Sequence, residues 1–516
     1  MVVIVKANTG ASPASRLTWK TIEWTQVTEK VKRLQVRIAK AVREKRYGKA
    51  KALQWLLTHS FSAKLLAVKR VTQSSGAKTP GVDGIVWRTP NQRMQAAHSL
   101  QRRGYQPQPL RRIYIPKKKK GTFRPLSIPC LIDRAMQALH LLALEPVMET
   151  QADKNAYGFR PKRSCADAIE QCFTLLARKT SATFILEGDI RACFDRLSGK
   201  WLEDNILTDK VILSKWLTAG YMEEKVLHPT FDGVPQGGII SPALLVLALK
   251  GLEEAVKNVT SKKDKVKVVS YADDFVITGA TKEVLENKVM PAVTTFLKER
   301  GLELSPEKTL ITHVDEGFNF LGFNVRKYKG KLLIKPSKES IKIFLDKNRD
   351  FIKSNATAKT ENLILNLNLR IRGWANYYRH VVSRDAFHYI DDRIFWALMR
   401  WIKRRHPEKS ASWRKKKYFR TQGAKQWVFS VRLKNKRGEQ YFLDLFKASQ
   451  TPIRRHIKIR SEANLYDPKY TEYFFERERL KLERYTKAKD KPKPGLNASN
   501  INHLTAGSCI HGFRKA

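Results

Sequence analysis

Val266-Lys-Val-Val-Ser-Tyr-Ala-Asp-Asp-Phe-Val-Ile-Thr278 is the stretch that decides how this chain reads. β-Prone runs flank Ser270-Tyr-Ala-Asp-Asp274, so the spacing predicts a β-hairpin with Asp273 and Asp274 at its tip. Adjacent carboxylates repel, and a tight hairpin turn prefers Asn-Gly or Asp-Gly. A divalent cation turns that repulsion into attraction, because hard cations take carboxylate oxygens. The plain alternative is a polar turn that happens to hold two aspartates, and a short motif alone does not exclude it. Working outward, a third carboxylate, Asp189, ends the apolar run Phe184-Ile-Leu-Glu-Gly-Asp189. An Asp at one strand end and two at a neighbouring hairpin tip can converge on a pair of ions. Such a pair clamps the attacking and leaving oxygens of an in-line phosphoryl transfer. Read by itself, Asp189 is by default a helix N-cap after the strand.

Composition narrows the partner. Among 516 residues, 99 Lys and Arg face 48 Asp and Glu, a formal charge of +51. The excess runs along the whole length, which predicts a polyanion held over a long footprint with salt-sensitive affinity. An anionic membrane surface is the competing partner, but no apolar run reaches transmembrane length and Met1–Lys6 is too short for a secretory core. Cys130, Cys165, Cys172, Cys193 and Cys509 form no CxxC pair, which fits a reducing cytoplasm.

Along the chain, Thr28 to Val71 reads as basic helices with an apolar stripe of Val31, Leu34, Ile38 and Val42. The turn-rich segment 74–84 reads as a loop backing onto a ligand or strand. A mixed strand–helix block extends to about Val325. Residues 337–406 read as helical, with Ile341, Phe344, Leu345 and Ile352 on one face and Phe387, Ile390, Ile394, Leu398 and Trp401 on another. Leu363–Ile371 fits either period and is assigned to helix. Beyond His406 comes a basic segment studded with Trp413, Tyr418 and Trp427.

Three more motifs sit in the mixed block. Arg111–Pro129 reads as a basic hairpin that lays Lys117 and Arg124 over a triphosphate, or as a solvated charged tip. In Asp232-Gly-Val-Pro-Gln-Gly-Gly-Ile-Ile-Ser-Pro242 the glycines permit close backbone approach and Gln236 can order a sugar or base edge. The same loop also reads as a helix start with Ser241 as N-cap. Phe318-Asn-Phe-Leu-Gly-Phe-Asn-Val325 reads as a strand whose Gly322 lets a nucleic-acid strand near, or as a core strand with a glycine bulge.

The order basic hairpin, Gly-Asp-Ile-x-x-Cys-Phe-Asp, Pro-Gln-Gly, Tyr-Ala-Asp-Asp, Phe-Leu-Gly-Phe resembles the palm of reverse transcriptases. Tyr157-Gly-Phe-Arg-Pro161 and Arg372-Gly-Trp-Ala-Asn-Tyr-Tyr-Arg379 narrow the resemblance to group II intron-encoded reverse transcriptase/maturases, over roughly residues 20 to 490. It implies an α+β right-hand polymerase fold: fingers, a palm with an antiparallel sheet, and a helical thumb. The expected divisions are an N-terminal extension and start of the fingers over 1–95, fingers and palm over 96–335, and the thumb or maturase-specific domain over 336–410. A basic DNA-binding region over 411–490 and a tail over 491–516 follow.

The resemblance also implies roles. Asp189, Asp273 and Asp274 are the expected catalytic carboxylates and, with the carbonyl of Ile190, the ligands of two Mg²⁺ ions, one favouring the primer 3′-oxygen and one the leaving pyrophosphate. Lys117, Arg124, Gln236 and Lys308 would hold the incoming nucleotide. Phe194 is similar to a steric gate that excludes the 2′-hydroxyl, which implies DNA synthesis, while Asp195 should point elsewhere. Phe320, Gly322, Arg372, Trp374, Tyr378 and Arg379 are expected against template-primer or RNA. The implied partners are group II intron RNA, a DNA target site, an RNA template with DNA primer, and dNTPs, with no membrane; monomer and dimer both stay open. The implied work is retrohoming by target-primed reverse transcription, with help in splicing, by a cytoplasmic bacterial protein associated with the nucleoid when on DNA. One departure is expected: His503, Cys509 and His511 are too sparse for the HNH endonuclease of many relatives. The alternative function is a splicing-only maturase that binds RNA with a vestigial polymerase site.

Overall fold

The computed structural model describes residues 18–116, 121–224, 226–230, 233–435 and 437–485. Lys117 and the tail from residue 486 therefore lie outside the described residues. Three helices, Trp24–Arg43, Tyr47–His59 and Phe61–Thr72, open the chain and bury Val31, Ile38 and Val42 of the predicted stripe. They pack on the long helix Leu131–Gln151, which carries Pro146 in its interior. Proline lacks the N–H that would bond the carbonyl four residues back. That vacated acceptor, the carbonyl of Leu142, takes a hydrogen bond from the buried Gln35 amide at 2.8 Å instead. The loop 74–84 backs onto the start of the same helix, where the Arg134 guanidinium donates to the carbonyls of Gly76 and Thr79.

Strands β1 (Leu110–Pro116) and β2 (Phe123–Ile128) form the expected basic hairpin. β3 (Phe184–Asp189) enters the palm, and the short β4 (Tyr221–Glu223) and β5 (Val226–His228) extend the first sheet in the order β2-β1-β4-β5. β6 (Lys267–Tyr271) and β7 (Asp274–Gly279) are the predicted hairpin. With β8 (Leu310–His313) they make the palm sheet in the order β6-β7-β3-β8, its neighbouring strands antiparallel. Both faces of this sheet are covered. Leu186, Val268, Phe275 and Ile277 join one core with the N-terminal helices, while Ile185, Val269 and Val276 join a second with the thumb. Period-two alternation between two apolar cores explains why these strands read as unbroken apolar runs.

The Phe318–Val325 strand expected from sequence is instead a tight hairpin of β9 (Phe318–Phe320) and β10 (Phe323–Tyr328), to which β11 (Lys331–Pro336) adds. Leu321 and Gly322 form its turn at φ 52° and 80°. Two successive positive φ values suit the twist of a two-residue hairpin, and glycine supplies the second at no steric cost. Three helices, Lys338–Ser354, Thr360–Tyr378 and Arg384–Arg405, build the thumb. Helix is the correct assignment for Leu363–Ile371: Leu363, Leu367 and Ile371 are buried and Leu365 and Leu369 exposed. A helix Ala411–Tyr418 and a sheet of β12 (Phe419–Gln422), β13 (Lys425–Lys434) and β14 (Gln440–Asp444) follow. The chain then returns across the palm, and the described residues finish with the helix Thr471–Tyr485. Among the described residues no helix is long and apolar enough to cross a membrane.

Candidate active site

Register places the carboxylates. β3 and β7 pair so that Asp189 stands opposite Asp274, and Asp273 occupies the turn between β6 and β7 beside Ala272 at φ 60°. Like charges directly opposite on a sheet destabilise it. Burial raises the pKa of Asp273, and the nearby Asp189 charge raises it further; Arg124 and Lys308 pull the other way. The Lys308 ammonium donates to Asp189 Oδ2 at 2.9 Å. Its loop is held by the Ser305 N–H, which donates to the Asp189 carbonyl at 2.8 Å. Ile190 is buried and bridges Leu304 through its neighbours' backbone groups, which leaves its own carbonyl outside that pairing. Thus Asp189, Asp273, Asp274, Ile190, Arg124 and Lys308 gather at one end of the palm sheet.

Two glycines set this geometry. A Cβ on Gly188 would lie 2.2 Å from the Phe275 ring, so that ring crosses the strand only because residue 188 has no side chain. Gly158, in a segment the sequence reading used only to narrow the resemblance, matters more. The Tyr157 N–H donates to the Ser270 carbonyl at 2.9 Å. A Cβ on Gly158 would then fall 2.2 Å from the backbone nitrogen of Ala272, inside the carboxylate turn. Gly158→Ala is expected to shift that turn and lower the rate of the chemistry done there by about 10²-fold, the scale of an ångström misplacement, and to lower the melting temperature by the overpacking cost of about 1–3 kcal/mol. Full activity in the variant would refute this. The available signal was the glycine itself, although its need is for space rather than for positive φ.

The Pro-Gln-Gly loop ties the fingers to the segment after β3. The Ser127 N–H donates to the Gln236 carbonyl at 2.7 Å, and the Val234 N–H donates to the Phe194 carbonyl at 2.6 Å. The Gln236 amide donates to both oxygens of Asp195 at 3.2 and 3.3 Å. Sequence reasoning set Asp195 aside; it orients Gln236. Phe194 is half-buried against the core beside it. The helix after the loop starts at Ser241 with Ile240 as its N-cap, and the Ser241 hydroxyl donates to the Pro235 carbonyl.

The expected template-primer residues divide. Phe320 and Tyr378 are each 4% exposed, and the Tyr378 hydroxyl donates to the Gly322 carbonyl at 3.1 Å. A Cβ on Gly322 would meet that hydroxyl and Ser340 Oγ at 2.9 Å, so its close neighbour is the thumb rather than nucleic acid. These three join thumb to palm, a correction with a steric cause. Trp374 is half-buried and stacked on Phe344. Arg372 is exposed over the Phe446 ring, and Arg379 is half-buried. In the C-terminal region Tyr418 is a core residue, whereas Trp413 and Trp427 are half-buried with lysines against their rings.

The donor set suits a hard cation: carboxylates held together against their own repulsion, two of them half-buried. As they stand among the described residues, no three acidic, His or Cys side chains are drawn close enough to hold an ion. The Lys308 ammonium instead supplies positive charge at Asp189.

Residues 115–325 match the family described as reverse transcriptase (RNA-dependent DNA polymerase). Residues 19–100 match the N-terminal domain of reverse transcriptase, and 341–419 the group II intron maturase-specific domain. The chain is 34% identical over 304 residues to Protein YkfC of Escherichia coli (strain K12), spanning 50% of this chain and 79% of that protein. It is 26% identical over 503 residues to the group II intron-encoded protein LtrA of Lactococcus lactis subsp. cremoris, spanning 78% and 82%. A solved telomerase of Candida albicans aligns at TM-score 0.34 and 13% identity over 60% of this chain and 66% of its own, too distant to carry an argument. The palm and these matches define a right-hand polymerase of the reverse transcriptase class. Its maturase-specific thumb goes further, and the chain belongs to the group II intron-encoded reverse transcriptase/maturase family.

Proposed function

We propose that this protein copies group II intron RNA into DNA from a primer at a DNA target site, with Asp189, Asp273 and Asp274 as the carboxylates of a two-metal site. The observation that carries the reading is the pairing of Asp189 with Asp274 beside a half-buried Asp273, an arrangement that splicing alone does not need. Two Mg²⁺ ions bound there would supply Lewis-acid activation of the primer 3′-oxygen and neutralise the leaving pyrophosphate. The chain's own residues do the rest. Arg124, exposed on β2, neutralises triphosphate charge, and Lys308 swings from Asp189 to the leaving group as the nucleotide binds. Phe194 closes the ribose pocket, and Gln236, held by Asp195, positions the nucleotide. Exposed cations of thumb and C-terminal sheet grip intron RNA and DNA, in the cytoplasm and on the nucleoid.

Primer extension on an RNA template with Mg²⁺ tests this, comparing dNTPs with rNTPs for wild type and Asp273→Ala. Long DNA products that vanish in the variant are expected. Folded wild-type protein that binds structured RNA yet extends no primer would leave the splicing-only reading. Phe194→Val should relax sugar choice, raising rNTP use relative to dNTP by roughly 10–100-fold. Unchanged discrimination would remove Phe194 from the gate.

A further inference from the structure

Between the thumb and the C-terminal sheet lies a cavity of about 290 Å³ that the polymerase reaction does not use. Phe395 of the last thumb helix, Trp427 and Phe429 of β13, and Phe446 beyond β14 line it, with Asp392 and Lys447. The sheet is bent to make it. β12 pairs Arg420 with Val428 and Gln422 with Lys425, so Thr421 faces two residues, Gln426 and Trp427. This bulge puts Trp427 at φ 58°, a left-handed conformation that a bulky residue rarely adopts. Bulges re-aim side chains. Here the indole stands edge-on to Phe395 and Phe419, and the Lys415 ammonium lies 4.6 Å from its centroid. The Arg372 guanidinium covers Phe446 at 4.2 Å. Asp391 spends its carboxylate on the N–H groups of Ala448 and Ser449. Its neighbour Asp392 is half-exposed and accepts from the Trp396 indole at 3.2 Å, with lone pairs to spare.

Each part of this arrangement answers to a part of an unpaired nucleotide. Aromatic rings stack on a base, cations at the rim meet its flanking phosphates, and a carboxylate accepts from an exocyclic amine. A protein side chain would fill the same void without needing a cationic rim, and the chain's charge of +51 favours the polyanion. We propose that the cavity receives an unpaired, amine-bearing nucleobase of the RNA or DNA held by thumb and C-terminal sheet. This rests on the nucleic-acid reading above and adds a base-recognition site built from other elements than the carboxylates.

The full chain is titrated with matched RNA and DNA hairpins that are fully paired, or carry one bulged adenine, or one bulged uracil (thymine in DNA). The adenine-bulged hairpin of at least one sugar type should bind about tenfold more tightly than its paired counterpart, and the two arms show which nucleic acid supplies the base. Trp427→Leu should erase the bulge advantage while keeping affinity for paired hairpins. If that variant does not fold, Asp392→Ala, on an exposed helix position, decides by bringing adenine and uracil bulges level. Equal binding of bulged and paired hairpins of both kinds, or an adenine preference that survives in the variants, overturns the proposal. Failure of wild type to bind any hairpin would instead overturn the nucleic-acid reading itself.

Discussion

Replacing Asp273 with asparagine is expected to abolish primer extension while leaving the fold at least as stable. In the proposed two-metal site, the loss follows from what this carboxylate would do for the transition state. A metal clamp on attacking and leaving oxygens contributes several kcal/mol, and each 1.36 kcal/mol is a factor of ten, so the rate should fall by about 10³-fold or more. The stability argument runs the opposite way. Burial and the Asp189 charge both disfavour ionised Asp273, so in metal-free protein its charge is a cost. A neutral amide of the same shape removes that cost. In EDTA, Asp273→Asn should therefore melt at or above the wild-type temperature. With Mg²⁺ the order should reverse, because ions bound to the native state stabilise the wild type by mass action. Melting curves with and without Mg²⁺, beside primer extension, check both halves. An active variant would exclude Asp273 from the chemistry; an inactive variant destabilised equally in both conditions would mark it as structural.

The carboxylates were legible because their environment writes itself into sequence. Phe184-Ile-Leu and Phe275-Val-Ile are unbroken because each strand is buried on two faces, and the charged residues fall where those runs stop. The thumb helices were legible for the same reason, through Leu363, Leu367 and Ile371 on one side of a helix. Less was legible where backbone conformation decides. Leu321 at positive φ carries no turn signal, so the β9–β10 hairpin passed for a strand and Gly322 for a nucleic-acid contact. The contact between the Lys308 ammonium and Asp189 joins residues 119 apart, a distance at which periodicity says nothing. Furthest from view was the return of the C-terminal segment onto the palm, since its partners are single polar residues scattered among many exposed cations.

That return makes the second large prediction: Arg477→Met should cost about 3–5 kcal/mol, the usual effect of stranding one member of a buried ion pair. Arg477 and Asp167 are 1% and 0% exposed, and the guanidinium donates to Asp167 Oδ1 at 2.6 Å and to the carbonyls of Ile457 and Lys162. Asp167 also accepts from His456 Nε2 at 2.9 Å, the Ile459 N–H at 2.7 Å and the Ser164 hydroxyl at 2.7 Å. Burial alone would raise the pKa of this carboxyl; His456, Arg477 and Ser164 overcome that and hold it far below the usual carboxylate range. A depressed native pKa gives stability that is present above the ordinary range and lost as pH falls through and below it. Wild type should therefore lose stability in acid more steeply than Asp167→Asn, which starts lower at neutral pH. The pair also fastens the helix Thr471–Tyr485, with the His456–Ile459 segment before it, to Cys165–Leu176, the helix leading into β3. Replacing both partners, Asp167→Leu with Arg477→Met, removes the stranded carboxylate but leaves His456, the Ile459 N–H and the Ser164 hydroxyl without their acceptor, so it should recover only part of what the single variant loses. Thermal melts of the two single variants and the double variant decide it: an Arg477→Met protein that melts with wild type would show that the returning segment merely rests on the palm.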